Sequence, residues 1–595
     1  MSGRMVRIGG ASAGFIDSAI AVPQLLREEI DYLAFDCMGE GNMPVLAQRM
    51  AQQTGTPYMS EFVEHIRANL PAIMEKGVRV VANAGGLDPR ECAIALEQVA
   101  KELGLTPVIA YVEGDNLLTR ADELRAAGYR DMFFGDAFPE QRITTANAYL
   151  GAIPIAVALD RGATIVVTGR VVDSAATLGP LIHEFGWLPD DFDKLSAGTL
   201  IGHLLECGAQ VTGGVFTDWR DVPDWANIGY PIAECFEDGT AVITKPAGTG
   251  GLVSVGTVSE QLLYEVSDPQ RYFVPDVTCD FSAVQLKQLG ANRVHVSNAR
   301  GYAPTSTYKT LLTYDNGWRG TASFVVSGEE AVDKVERIGA ALIERTRNML
   351  RQRNQADWRA TKVEALGAEG SFGAQAQPLA RDIREVTCRI VADHEDASAA
   401  ALLVSEHFTA GISMAPGNSC IPLGLGVMPL FKLFPILIEK RDLAIAVVVD
   451  GKAEAVVVPV DGGFDSAQVP QLAPVEAPTA PATAQVMLEK LAWVRSGDKG
   501  NISNIAVIAR RPEYLPYLNE ALSQEAIGQW FAHLFADGKA GEVRRYQAPG
   551  LSSLNFTLHQ ALEGGITASL RFDPMGKALG QQILRFPVSV PPEFA

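Results

Sequence analysis

Seven consecutive residues, Arg495-Ser496-Gly497-Asp498-Lys499-Gly500-Asn501, place a guanidinium, a hydroxyl, a carboxylate and an ammonium among glycines. Arg495 and Lys499 suit an anionic group. Asp498 can hold either cation in place or serve as a base, and successive free amides in a loop add an anion nest. The same composition is good turn chemistry, but a turn has no need of Arg495. A second set of candidates lies in the first 175 residues. Asp36, Glu40 and Asn42 fall within seven residues, a spacing that serves general acid–base work or oxygen ligation of a divalent cation such as Mg2+. Arg170 and Asp173, in TGRVVDSA, can grip a carboxylate or phosphate, or pair with each other. Gly9, Gly10, Ser12 and Gly14, in GGASAGFIDS, allow close backbone approach to a ligand or simply a tight turn. Asn83 before Gly85-Gly86, and Asp115-Asn116, repeat the pattern more weakly and also read as Asx turns.

Three motifs fall short of recognised signatures. Lys245 opens KPAGTGG, which has phosphate-loop composition without the order GxxxxGK[ST], so nucleotide hydrolysis is not supported. The glycines at 9, 10 and 14 do not make GxGxxG. His203, Glu206 and Cys207 share a helix face, but one imidazole in HxxEC lacks the paired ligands of a zinc motif, so packing is the expected role. No metal ligands are assigned. The cofactor stays open, between none and a divalent cation.

The elements that must position these groups are short apolar runs alternating with helical patterns. Met5–Ile8, Tyr32–Phe35, Val78–Ala82, Pro107–Val112 and Ala163–Thr168 read as strands, with a helix over Pro89–Leu103. This predicts an α/β fold with a mostly parallel sheet covered on both faces, whose ligands sit beyond the carboxyl ends of the strands. The polar candidates follow those ends. Helices are predicted near Leu195–Cys207 and over Gly328–Arg353, and strands at Ala241–Thr244, Leu252–Val255, Val386–Ala392 and Leu443–Val449. The region 1–464 forms one α/β part, with a possible seam near 190–260. Residues 465–485 are a Pro/Ala-rich linker, and 486–595 an α+β module. In that module strands are expected at Val486–Val494, Arg544–Tyr546, Ser553–Leu558 and Ala568–Phe572, with RSGDKGN as a loop.

Composition narrows the function classes. The chain has 595 residues, 47% hydrophobic and 20% charged, with a net charge of -20, which argues against nucleic acid and anionic membranes as partners. The seven cysteines are scattered without a CxxC pair, as suits a reducing cytoplasm. The opening MSGRMVRIGG enters a strand without a basic-then-apolar leader, and no apolar run reaches the roughly 18 residues of a membrane span. A cytoplasmic protein is expected, and large α/β enzymes are commonly homo-oligomers.

RIGGASAGFIDS, DYLAFDCMGEGNMP and NAGGLDP, followed far downstream by WVRSGDKGNISN, resemble the acyclic terpene utilization protein A (AtuA) family over nearly the whole chain. The resemblance implies a large N-terminal domain, a C-terminal domain of ferredoxin-like fold, and a place in catabolism beside enzymes of branched acyl-CoA thioesters. It supplies no reaction. The leading expectation is a lyase or hydro-lyase acting on a branched or hydroxylated carboxylic acid or its acyl-CoA thioester. Asp36 or Glu40 would be the base, and glycine-loop amides, Arg170 or Lys499 would stabilise enolate charge. The alternative is a non-catalytic ligand-binding or scaffold partner of acyl-CoA enzymes. Arg495–Asn501 is expected to form an anion-holding lid over a crevice made by Gly9–Ser18, Asp36–Asn42 and Arg170–Asp173.

Overall fold

The computed structural model describes residues 4–14, 17–538 and 541–595, apart from the side chains of Cys420 and Asp537. Phe15 and Ile16, within the glycine-rich opening motif, lie outside the described residues. Five strands form a parallel centre. In spatial order they are Met5–Gly10, Tyr32–Phe35, Arg79–Ala82, Ile165–Thr168 and Ile109–Glu113. Tyr32–Phe35 and Ile165–Thr168 are buried at every position, as strands covered on both faces must be. Helices Ser60–Lys76 and Pro89–Leu103 pack into one core, and Ile153–Asp160, Ala175–Phe185 and Phe192–Leu205 into the other. Helix Pro89–Leu103 begins where the Asp88 carboxylate accepts the Glu91 amide and ends on Gly104 at φ 67°.

The parallel character stops at these five. Ile232–Phe236, Ala241–Thr244, Arg293–Ser297 and Gln285–Gly290 extend one edge antiparallel, and Ala446–Val449 and Lys452–Ala455 extend the other. The eleven-stranded sheet is therefore mixed rather than mostly parallel. The added strands mostly return through tight hairpins, and short connections join only antiparallel neighbours. The stretch near 190–260 supplies two strands of this sheet and helix Phe192–Leu205 packed against it. Leu252–Val255 is not a strand; Ser254 caps helix Val255–Leu263 there.

A second sheet is built on two long antiparallel strands, Thr307–Ser327 and Asn418–Glu439, flanked by Glu385–His394 and Ala360–Leu366. Helices Ala331–Gln352 and Ala397–Ser413 cover it around a separate core that includes Phe324, Val335, Leu342 and Ile390. Strand Ile143–Ala148 pairs with Thr310–Tyr314, so the near end of the long strand lies beside the loops of the first sheet.

After Lys452–Ala455 the chain has only a short turn, Ser466–Gln468, before strand Ala484–Met487. The C-terminal module has a four-stranded antiparallel sheet in the order Ala492–Lys499, Ile502–Ala509, Ser553–His559, Val543–Ala548, with helices packed into its core. Arg495–Lys499 are strand residues, not a loop; Gly500, at φ 59°, and Asn501 alone make the turn. The strand expected at Ala568–Phe572 is absent. Its backbone is committed elsewhere: the Ala568 and Ser569 carbonyls accept from Arg319, and the Leu570 carbonyl from Arg389. The module is firmly docked. Val494 exchanges two hydrogen bonds with the Thr217 hydroxyl, each 3.0 Å, and Asp218 takes Trp493 Nε1 at 2.7 Å and both ends of the Arg510 guanidinium. No helix among the described residues is long and apolar enough to cross a membrane.

Two glycines of the long strand pair separate packing from exposure. A Cβ on Gly320 would strike the Ala400 carbonyl, whereas one on Gly424 meets nothing within 4 Å. Gly320→Ala should lower the thermal midpoint through overpacking of about 1–3 kcal/mol. Gly424→Ala should leave it unchanged or slightly higher. Equal midpoints for both variants would refute the close approach.

Candidate functional site

Beyond the carboxyl ends of the parallel strands, closed on its far side by the C-terminal module, lies a cavity of about 1250 Å3. The strand-end loops contribute Gly14, Asp36, Glu40, Arg170 and Asp173 to its wall, and the C-terminal module contributes Arg495, Asp498, Lys499 and Lys577. Lys309 enters from the long strand, and Glu206, Tyr264, Glu265 and Tyr272 from the chain between. The groups nominated on the two sides of the linker thus line one space, as a wall rather than a lid.

Behind the wall a polar shelf fixes the loops. Asn83, itself buried, accepts the Cys37 amide at 2.6 Å and donates to Asp36 Oδ1 at 2.6 Å. Asp115 accepts the Arg170 amide and Asn147 Nδ2, each at 2.8 Å. Asn42 ties the Gly14 carbonyl to that of Cys37. The Arg170 guanidinium, 2% exposed, binds the Met38 carbonyl, meets Asp173 Oδ1 at 2.7 Å and lies 4.2 Å from the centre of the Tyr149 ring. Asn83 and Asp115 are positioning groups and do not line the cavity.

Each residue of the C-terminal motif has a task. Arg495 reaches Gln210 and lies 4.4 Å over the Tyr264 ring. The Ser496 hydroxyl donates to the Gly576 carbonyl at 2.7 Å and accepts the Gly580 amide at 2.8 Å, fixing the turn that carries Lys577. A side chain at 497 would collide with Tyr264 at 2.5 Å and Glu265 at 2.8 Å, so only glycine lets the two modules meet here. Lys499 Nζ lies 3.4 Å from Glu265 Oε2, and Lys577 Nζ lies 2.8 Å from Glu265 Oε1 and 3.6 Å from Asp498. Asn501 accepts the Leu562 and Gly564 amides.

The charges divide into committed and spare. Lys309 pairs with Glu40 at 2.5 Å, Arg170 with Asp173, and Lys499 and Lys577 with Glu265. Burial alone would raise Glu265, but the two ammonium groups outweigh it and hold the carboxyl down at about 2. Glu40 likewise sits below the usual range, because Lys309 and then Lys499 outweigh its burial. Three carboxyls are left without a full partner. Burial, then Asp173, pushes Asp36 up to about 7 against the pull of Arg170. Burial, then Glu265, pushes Asp498 up to about 7. Glu206, whose Oε1 is 3.1 Å from His203 Nδ1, is raised mainly by burial, and its Oε2 has no hydrogen-bond partner. Asp36 and Asp498, poised near neutrality beside the ionised Glu40 and Glu265, meet what separate acid and base roles require.

Other nominated residues fall away from the cavity. Gly9 and Gly10 are packing glycines: a Cβ would press on Leu25 at one and on the Leu205 carbonyl, 2.6 Å away, at the other. Among the described residues the next helix after them is Ala21–Leu25. Ser12 is buried and donates to the Asp36 carbonyl at 2.8 Å. Lys245 donates to Thr249 of its own loop at 2.6 Å and does not reach the cavity. Asn116 forms an Asx turn, accepting the Leu118 amide. Among the described residues no group of three or more His, Cys, Asp or Glu is arranged to hold a metal ion. Lys309, Glu265 and Lys577 escaped the sequence reading. Each stands alone in its segment, without spacing or a glycine run to mark it.

The AtuA family model, described as an acyclic terpene utilisation family protein, matches residues 6–449, and the model of the AtuA ferredoxin-like domain matches residues 486–589. Comparisons with curated proteins and with solved structures give no match.

The displaced carboxyls have a thermodynamic signature. Asp36 and Asp498 hold protons that the unfolded chain releases, so their contribution to stability is complete below about pH 4 and lost as pH rises through about 7. Glu265 runs the other way: its contribution is present above about pH 4.5 and lost as pH falls toward 2. Asp36→Asn should therefore gain thermal midpoint over wild type on moving from pH 5 to pH 8. Glu265→Gln, which strands two ammonium groups, should lose midpoint at both. A difference between Asp36→Asn and wild type that does not change with pH would contradict the raised pKa.

Proposed function

The chain belongs to the acyclic terpene utilisation family AtuA, and we propose that it acts there as a hydro-lyase on a branched or hydroxylated carboxylic acid or its acyl-CoA thioester. One observation carries this reading: two carboxyls near neutrality, Asp36 and Asp498, come from different modules to one cavity where Lys309 and Lys499 are held charged by neighbouring acids. In the dehydration direction, one of the two, as carboxylate, removes the proton beside the carbonyl. The C–H pair moves toward the carbonyl oxygen, where the ammonium groups of Lys309 and Lys499 can stabilise the charge. As the double bond forms, the C–O bond to the β-hydroxyl breaks. The other carboxyl, protonated, delivers its proton to that oxygen, and water leaves.

The committed charges change one nomination. Glu40, ionised against Lys309, is a weak base and serves better to hold that lysine in place. The hydrocarbon part of a branched acid finds apolar wall at Val215, Phe216, Phe273, Val274 and Leu437. Arg170 and Arg495 keep an internal partner each, which suits them to shape the site and to meet a substrate oxygen secondarily.

Purified protein should add or remove water across a panel of unsaturated and hydroxylated branched acids and their CoA thioesters, followed by absorbance and mass change with and without Mg2+. Asp36→Asn and Asp498→Asn should each lower kcat about 10²–10⁴-fold, and Glu40→Gln should act less strongly. Absence of turnover across the panel, with co-purification of acyl-CoA enzymes, would favour the scaffold role instead.

A further inference from the structure

The mouth of the cavity carries a feature that proton chemistry does not use. Trp219 lines it and is 45% exposed; Trp225, 58% exposed, lies 5.8 Å from Trp219 ring to ring. Two indoles so exposed, side by side, are a costly surface unless something covers them. The Arg220 guanidinium sits 4.2 Å from the Trp219 ring centre, and Arg271 lines the same cavity. Neither arginine has a hydrogen bond or ion pair from its side chain among the described residues, unlike Arg170 and Arg495 deeper in.

The rim is built, not loose. Thr217 and Asp218 anchor it to the C-terminal module. On the other side the Gly251 amide binds the Pro223 carbonyl and the Gly250 amide the Asn227 carbonyl, each at 2.8 Å. A Cβ on Gly250 would run into the Asp224 carbonyl, which accounts for the glycine at that position. The backbone is strained at both ends of the rim: Val215, β-branched and 64% exposed, has φ 56°, and Asp224 has φ 48°. Such residues persist where a rigid surround imposes them, and they gather at ligand clamps.

Exposed aromatic rings with guanidinium groups that make no hydrogen bond or ion pair among the described residues match a purine carrying phosphates: the rings stack the base and the arginines take the anions. A hydrocarbon chain has no use for the arginines. At about 1250 Å3 the cavity also exceeds the roughly 300–1000 Å3 of ordinary small-molecule pockets, leaving room for a carrier arm as well as an acyl group. We infer that Trp219, Trp225, Arg220 and Arg271 bind the adenine nucleotide end of a coenzyme A thioester, with its acyl end directed toward Asp36 and Asp498. This rests on the hydro-lyase reading for the acyl end only and selects the thioester over the free acid.

Isothermal titration of the full chain with coenzyme A, 3′,5′-ADP and pantetheine, none of which carries an acyl group, tests the rim without turnover. Coenzyme A and 3′,5′-ADP should bind and pantetheine should not. Trp219→Ala and Arg220→Ala, at exposed positions that leave the thermal midpoint unchanged, should each weaken 3′,5′-ADP about tenfold. Coenzyme A binding no tighter than pantetheine, or insensitive to both substitutions, overturns the inference, and free acids could still be turned over. If coenzyme A binds through the rim but no thioester is hydrated or dehydrated, the hydro-lyase reading fails and the nucleotide site stands.

Discussion

One carboxylate joins the halves of this molecule. Glu265 is held between Lys499 and Lys577, and all three line the cavity. A charge so enclosed costs several kcal/mol in desolvation unless its partners are present. The partners come from the other module, so the large part is not electrostatically whole without the C-terminal sheet. The reverse holds as well: Lys499 and Lys577 would crowd two like charges without Glu265. Even the backbone yields to the contact, since Glu265 sits at φ 60° and the facing strand must have glycine at 497.

From that pairing the rest of the site's electrostatics follows. Once Glu265 has taken two lysines and Glu40 the third, little positive charge is left to ionise Asp36, Glu206 or Asp498. Burial is the larger cause of their elevated pKa values, and that shortage leaves it largely unopposed. The same lysines remain near enough to an incoming oxygen to respond to charge that develops there. A site made by simply adding more lysines would lose this property, because every carboxyl would then be neutralised by a neighbour.

Much of this was legible in the sequence, and the misses have physical causes. The five central strands and the polar loops after them could be read because buried parallel strands are short, apolar and followed by turns. Asp36 and Arg170 stand out on that ground, and Asp498 and Lys499 on the concentration of charged groups and glycines in Arg495–Asn501. Lys309 was not, because it belongs to a 21-residue strand whose partner lies more than a hundred residues away, and no local pattern marks that pairing. Glu265 and Lys577 are ordinary residues made special only by docking. The glycines misled in the opposite direction. At 9 and 10, as at 250, they serve close backbone or side-chain packing, and composition cannot distinguish that from a ligand cradle.

The irregular segment between Ala455 and Ala484 has a kinetic consequence. A tether of this length keeps the C-terminal module near its seat at an effective concentration of the order of millimolar. Assembly of the cavity is then a first-order event, independent of how dilute the protein is. The same two modules as separate chains would lose the site on dilution, at a point fixed by their affinity. Covalent continuity thus converts an association equilibrium into a property of the single molecule.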